Sequence, residues 1–269
     1  MSETAPTFAA DLLVGKNAFI TGGTSGINLG IAKVFAQAGA SVAILGRKED
    51  KAKAAASELA EYAHASSEVM SVCADVRDYE GLEAAIANAH DSLGELDVLV
   101  CGAAGNFPAP VAAMSANGFK AVVDIDLNGT FNASRAAFNF LRKPGASVIN
   151  ISAPQAFMPT PLQAHVCAAK SGVDMFTRVL AMEWGQLGIR VNSLTPGPVD
   201  DTEGMARLAP TEEARERTKK SVPLGRFASA EELGHVALFL CSPAAAYIHG
   251  SVVVADGGWS LGGASGFGL

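Results

Sequence analysis

Short β-branched runs alternate with longer stretches of helical spacing along this chain. Strands are predicted near 17–21, 41–46, 68–74, 96–102, 147–152, 189–195 and 250–254. Helices are predicted near 28–39, 49–64, 79–93, 117–142, 162–186 and 229–242. Such alternation builds right-handed βαβ crossovers, so the expected fold is α/β, a doubly wound parallel sheet with helices on both faces. The helix near 162–186 carries Val173, Phe176, Leu180 and Trp184 at three- and four-residue spacing, a stripe that faces the core. The segment 196–228 breaks the pattern: it is bounded by proline and glycine, charged, and without a strand. It reads as an insertion over the carboxyl ends of the strands, where open α/β sheets take ligands.

The first strand runs into Thr21-Gly-Gly-Thr-Ser-Gly-Ile-Asn-Leu-Gly30, and Ile31-Ala-Lys-Val-Phe-Ala36 continues with helical spacing. A strand that turns on glycines into a helix presents free backbone N–H groups and a positive dipole end, which hold a pyrophosphate. Gly22 and Gly26 supply backbone angles that a side chain would forbid. Taken alone, the cluster fits a plain structural turn equally well.

The rest of the composition narrows the partners. With 269 residues, 49% of them hydrophobic, the chain can bury one large core. No Pro/Gly/Ser-rich linker divides it and no internal repeat appears, so one domain over 1–269 is expected, with the insertion at about 196–228. A net charge of −7 argues against electrostatic binding of nucleic acid, so bound phosphates must be held locally. Cys73, Cys101, Cys167 and Cys241 form no CxxC pair and read as buried free thiols of a reducing compartment. The N-terminal segment reads as neither a signal nor a transit peptide, and no apolar run is long enough for a membrane span. Phe267-Gly268-Leu269 is not a Ser-Lys-Leu address, so the cytoplasm is the expected compartment.

Over nearly its full length the chain resembles the short-chain dehydrogenase/reductase family. The resemblance rests on Thr21-Gly-Gly-Thr-Ser-Gly26, Asp75-Val76, Ala103-Ala-Gly105, Asn150-Ile-Ser152, Ala169-Lys170, Arg190-Val-Asn192, Pro196-Gly197 and Asp256-Gly-Gly258, in that order. It implies a Rossmann-type fold, hydride transfer with a nicotinamide cofactor, and a homotetramer. Implied cofactor contacts are Gly22, Thr24, Ser25, Gly26 and Ile27 in the loop, Arg47, Lys48, Asp75, Val76, Ala103 and Ala104, then Lys170, Pro196, Gly197 and Val199. Asp75 would meet the adenine amine. The end of the second strand, Ala43-Ile-Leu-Gly46, carries no carboxylate for a ribose diol, whereas Arg47 and Lys48 suit a 2′-phosphate. NADP(H) is therefore favoured over NAD(H). Asn28 replaces the family's usual glycine; asparagine tolerates a left-handed turn, but adds bulk beside the pyrophosphate.

The active site departs further from the family. Val166 stands where the family's tyrosine acid stands, four residues before Lys170, and Ala153 takes the place of the usual serine. Asp126 replaces the usual helix asparagine. These changes resemble one subgroup, the peroxisomal-type 2,4-dienoyl-CoA reductases, through Ala104-Gly-Asn-Phe107, Phe119-Lys120, Asp124-Ile-Asp126, Gln163-Ala-His165, Glu183-Trp-Gly185 and Gly197-Pro198 with Thr202-Glu-Gly204. In a conjugated dienoyl thioester, hydride arrives at the far carbon and protonation follows at carbon, so no phenol on a reacting carbonyl is needed. The resemblance implies catalysis by Asp126 and Lys170 on an acyl-CoA. It further implies substrate contacts from Arg77, Phe107 and Arg207.

His165 has a suitable pKa for an acid, but lies one residue off the tyrosine position, so packing or capping is the plainer reading. Arg215, Arg217, Lys219 and Lys220 alternate with Glu212, Glu213 and Glu216 and read as a solvated helix face, with coenzyme A phosphates as the other reading. Two other functions stay open. One is reduction of another oxo or enone compound with a relocated acid such as His165. The other is a catalytically silent dinucleotide-binding protein.

Overall fold

The computed structural model describes residues 7–262, save the side chain of Leu208. Seven parallel strands form one sheet: β1 (Asn17–Thr21), β2 (Ser41–Gly46), β3 (Val69–Cys73), β4 (Val98–Cys101), β5 (Ser147–Ile151), β6 (Arg190–Pro196) and β7 (Val252–Ala255). Their order across the sheet is β3-β2-β1-β4-β5-β6-β7. The chain winds outward from β1 in one direction, then returns to β4 and winds in the other. The switch point lies between β1 and β4, and their carboxyl ends open the crevice that such sheets use for ligands.

Side chains alternate between the two faces, and each face has its own core. Ile20, Ile44, Val100 and Ile149 pack under α1 (Gly26–Gln37), α2 (Glu49–Ala60) and α9 (Ala230–Cys241). Phe19, Leu45, Leu99 and Val148 pack under α3 (Tyr79–Leu93), α5 (Gly129–Ala137) and α6 (Ala164–Trp184). Strands buried on both faces explain the near-continuous apolar runs in the sequence.

The predicted helix over 117–142 is interrupted. α4 (Ala116–Val123) passes through a π-helical turn, Asp124–Asn128, before α5, which ends at Ala137. The insertion holds two helices, α7 (Glu203–Leu208) and α8 (Glu212–Ser221). Ion pairs Lys219–Glu216 and Arg215–Asp200 bind the charges of α8 locally, as a solvated face would. All four cysteines are free, but Cys73, at the edge strand, is exposed, contrary to the reading of buried thiols. Burial pushes the thiols of Cys101 and Cys241 up to about 12. Among the described residues no helix is long and apolar enough to cross a membrane.

α1 and α9 touch through glycines. A Cβ on Gly30 would lie 2.5 Å from the Ala230 Cβ, and one on Gly234 would lie 2.5 Å from Val34 Cγ2. A Ser229–Glu232 capping box starts α9 at this crossing. Gly30→Ala gains helix propensity of about 1 kcal/mol but forces an overpacked contact costing about 1–3 kcal/mol. The expected outcome is a net loss of up to about 2 kcal/mol, read as a Tm drop of a few degrees by calorimetry.

Candidate functional site

The turn between β1 and α1 is built for close approach. Gly22 (φ 68°) and Gly26 (φ 58°) both take left-handed backbone. A Cβ on Gly22 would lie 2.9 Å from the Ala103 Cα. Ser25 is the N-cap residue of α1, yet its side chain caps nothing; its Oγ accepts a bond from Lys51 Nζ at 3.1 Å. No acidic residue occupies the first turn of α1. The helix N-terminus therefore keeps its N–H groups for an anion, which fits a dinucleotide pyrophosphate.

Asn28 corrects the sequence expectation. It lies inside α1 without a positive φ, and its side chain turns inward. Its Nδ2 donates to Gly102 O at 2.7 Å and to Gly22 O at 3.4 Å. Any Cβ on Gly102 would collide with the Asn28 amide. Thr21 Oγ1 adds a second tie by accepting from the N–H groups of Gly102 (2.9 Å) and Ala103 (3.2 Å). The asparagine thus joins the ends of β1 and β4 through its side chain.

The remaining loop residues surround this crevice. Thr24 packs its methyl against Gly46, where a Cβ would lie 2.5 Å away, so β2 must end in glycine. Arg47 and Lys48 follow directly, exposed and with no ion-pair partner among the described residues. Ile27, Ala103 and Ala104 line the rim, half-buried or exposed. Val76 is buried, and its carbonyl accepts from Asn132 Nδ2 at 2.8 Å. On the far side Pro196 ends β6, Gly197 packs on the Asp256 backbone, and the buried Val199 makes a bridge to Ala228.

Asp75 and Arg77, which the resemblance assigns to different ligands, form one pair. Arg77 Nε and Nη2 reach the Asp75 carboxylate at 2.9 and 2.6 Å. The guanidinium holds the Asp75 carboxyl below its ordinary value, and the carboxylate raises Arg77 in return. The other predicted substrate residues lie near one another. Phe107 meets the His165 ring edge-on with centroids 4.5 Å apart, and Arg207 Nη1 donates to Asn106 O at 3.1 Å. The Asn106 and Gln155 amides both donate to Gln163 Oε1 at 3.2 Å, tying the loops after β4 and β5 together. Gln155 and Lys51 carried no residue-level signal in the sequence, and Asn106 stood only within a motif, because long-range amide and ammonium contacts have no spacing rule. His165 is fully buried, and its Nδ1 accepts the Val166 N–H at 2.9 Å. Its Nε2 is buried with no hydrogen-bond partner.

At the centre lie Asp126 and Lys170. The π-turn adds a residue to the helix and swings Asp126 inward, where it is 1% exposed. Thr130 Oγ1 takes the Asp126 carbonyl at 2.7 Å. Asp126 Oδ1 accepts from Gly105 N at 2.7 Å, and Oδ2 lies 3.4 Å from Lys170 Nζ. That ammonium also donates to Ile151 O at 2.9 Å and is 5% exposed. Val166 is buried one turn earlier. The tyrosines lie elsewhere: Tyr62 under Lys33, Tyr79 on Glu83, and Tyr247 fully exposed. An ammonium and a carboxylate out of water are poor stabilisers of a fold, but strong sources of field.

The profile of the family described as Enoyl-(Acyl carrier protein) reductase matches residues 22–260. The chain is 38% identical over 261 residues to a peroxisomal 2,4-dienoyl-CoA reductase, (3E)-enoyl-CoA-producing, of Saccharomyces cerevisiae, covering 96% of this chain and 89% of that one. It is 42% identical over 252 residues to the enzyme of the same description from Pongo abelii, covering 93% and 86%. Among solved structures it is similar to a short chain dehydrogenase of Bacillus anthracis (TM-score 0.80, 37% identity, 91% of this chain and 96% of that one). It is also similar to a gluconate 5-dehydrogenase of Burkholderia cenocepacia in complex with NADP and tartrate (TM-score 0.86, 30% identity, 94% and 98%).

Proposed function

This chain belongs to the short-chain dehydrogenase/reductase family and is an oxidoreductase of that type, and we propose that it reduces a conjugated 2,4-dienoyl or enoyl thioester of coenzyme A with NADPH. The observation that carries the proposal is the buried Lys170–Asp126 pair, with buried Val166 where a ketone reductase needs its phenol. The names of the relatives point to the same substrate class. They are also peroxisomal by name, where the sequence led to an expectation of cytoplasm.

A bound reduced nicotinamide supplies the hydride; the chain does the rest. In this reading the α1 N-terminus, Gly22, Ser25 and Gly26 hold the pyrophosphate. Arg47 and Lys48 meet the 2′-phosphate, and a neighbour solved with NADP supports that preference. Arg77 steadies Asp75 for the adenine amine and, 43% exposed, keeps a side free for the thioester. Phe107, His165 and Arg207 wall the substrate side. Lys170 orients the nicotinamide ribose and places positive field near the thioester oxygen as charge builds there. Asp126, fixed by Gly105 N–H, holds Lys170 and positions a water whose proton goes to carbon. His165 is less well placed than this pair to deliver a proton, since its Nδ1 is engaged by backbone and its Nε2 is buried without a partner.

Exposed apolar side chains on α5 and α6, Phe131, Met175 and Met182, support assembly with further copies of the chain. Light scattering is expected to read the mass of four chains; a monomer contradicts that assembly.

Lys170→Ala and Asp126→Ala are each expected to lower dienoyl-CoA reduction by about 10²–10³-fold, measured as steady-state NADPH oxidation; turnover equal to wild type in both removes the assignment. Arg47→Ala is expected to weaken NADPH binding by about 10-fold while leaving NADH unchanged, measured by nicotinamide fluorescence titration. Equal losses for both cofactors would contradict the 2′-phosphate role.

A further inference from the structure

One buried carboxyl has no part in the chemistry so far. Asp174 lies on α6 four residues after Lys170, on the same helix face, and is 5% exposed. It faces a layer of polar side chains between α6 and the sheet. Asn150 and Ser152 come from the β5 side, Ser193 and Thr195 from β6, and Thr177 from α6. Asn150 Nδ2 donates to Thr177 Oγ1 at 2.8 Å, and Thr177 Oγ1 lies 2.9 Å from Ser193 Oγ. Four other atoms of the layer, Asn150 Oδ1, Ser152 Oγ, Asp174 Oδ1 and Thr195 Oγ1, are buried with no hydrogen-bond partner in good geometry. Buried polar atoms in this condition are normally satisfied by internal water.

The layer borders Lys170, whose charge acts on Asp174 one helical turn away. Lys170 Nζ is bonded to Ile151 O, and the next residue is Ser152. We propose that Asp174 is a positioning residue that returns a proton to Lys170 between turnovers, through Ser152 and internal water. The idea rests on the reduction proposed above, which consumes one proton per cycle at a Lys170–Asp126 pair buried from solvent. The hydride goes to the far carbon and the water held by Asp126 and Lys170 protonates carbon. Lys170 Nζ–H gives its proton to the resulting hydroxide and becomes an amine. The Asp174 acid O–H bond then breaks, the proton passes along Ser152 Oγ and water, and Lys170 is an ammonium again. The Asp174 carboxylate takes a proton from solvent after product leaves.

The environment suits a loaded acid. Burial pushes the Asp174 carboxyl up, and the Ser152 and Ser193 hydroxyls and the Arg178 and Lys170 cations pull it back in part. Both of those cations sit on α6, and the β5 and β6 sides present hydroxyls to it. A raised folded value means that the stability this group contributes is present at low pH and lost as pH rises through that value.

The test is Asp174→Asn, which keeps the shape and removes the proton. With NADPH and a dienoyl-CoA, kcat is expected to fall by about 10²-fold at about pH 8 and to recover as pH falls, because solvent protons then reach Lys170 unaided. The KM for NADPH stays unchanged, and the variant is as stable as wild type in acid and more stable in alkali. Infrared spectra of the cofactor-free protein are expected to show a protonated carboxylic acid band that the variant lacks. A wild-type kcat–pH profile, a loss of equal size at every pH, or the absence of an Asp174-dependent band overturns the proposal. If wild type itself oxidises no NADPH with dienoyl-CoAs, the substrate reading fails and the infrared band alone decides: its presence supports the loaded acid, its absence overturns it.

Discussion

The site depends on keeping one ammonium and one carboxylate together out of water. Either ion buried alone would cost several kcal/mol. Lys170 and Asp126 avoid that cost through each other and through two backbone groups, Ile151 O and Gly105 N. Ile151 ends β5, and Gly105 lies in the loop that follows β4. The pair therefore exists only if the two strands end side by side, α6 lies across them, and the π-turn brings Asp126 in. Sheet order, helix irregularity and chemistry are one arrangement.

The same economy holds at the cofactor end. Asn28 and Thr21 clamp the ends of β1 and β4 with bonds that leave the α1 N-terminus free. A helix start whose N-cap side chain is turned to Lys51 instead of its own backbone is available to a phosphate. Over it lies the short α7, whose Glu203 pairs with Lys51 and, within the helix, with Arg207. The crevice is thus bordered by rigid strand ends on one side and surface ion pairs on the other. Exposed pairs of this kind contribute at most about 1 kcal/mol each, so the insertion is the part of the wall that yields most readily to a ligand.

Much of the architecture was legible in the sequence because strands buried on both faces must be apolar throughout and helices between them must repeat every three or four residues. All seven strands fall within two or three residues of the spacing prediction. The break in the long fourth helix was not legible: a π-turn leaves no mark on composition, and Asp124-Ile-Asp126 reads as ordinary helix. Asn28 was legible as a departure but not in its effect. Whether an asparagine turns toward a phosphate or toward a neighbouring strand is decided by Gly102, seventy-four residues away. Asp75 and Arg77 show the same limit at short range, since two residues marked separately by resemblance can satisfy each other. Asp174 stood outside the predicted core stripe of α6 and gave no signal, because its meaning lies in the hydroxyls of β5 and β6 opposite.

In the absence of a phenol at Val166, the account requires reduction that leaves the thioester carbonyl intact and takes a proton from water onto carbon. Mass spectrometry of the product made from a dienoyl-CoA and NADPH in heavy water tests this most directly. The account predicts an enoyl-CoA with one carbon-bound deuterium and an unreduced thioester. An alcohol or aldehyde from the thioester, or an enoyl product without deuterium, would contradict it.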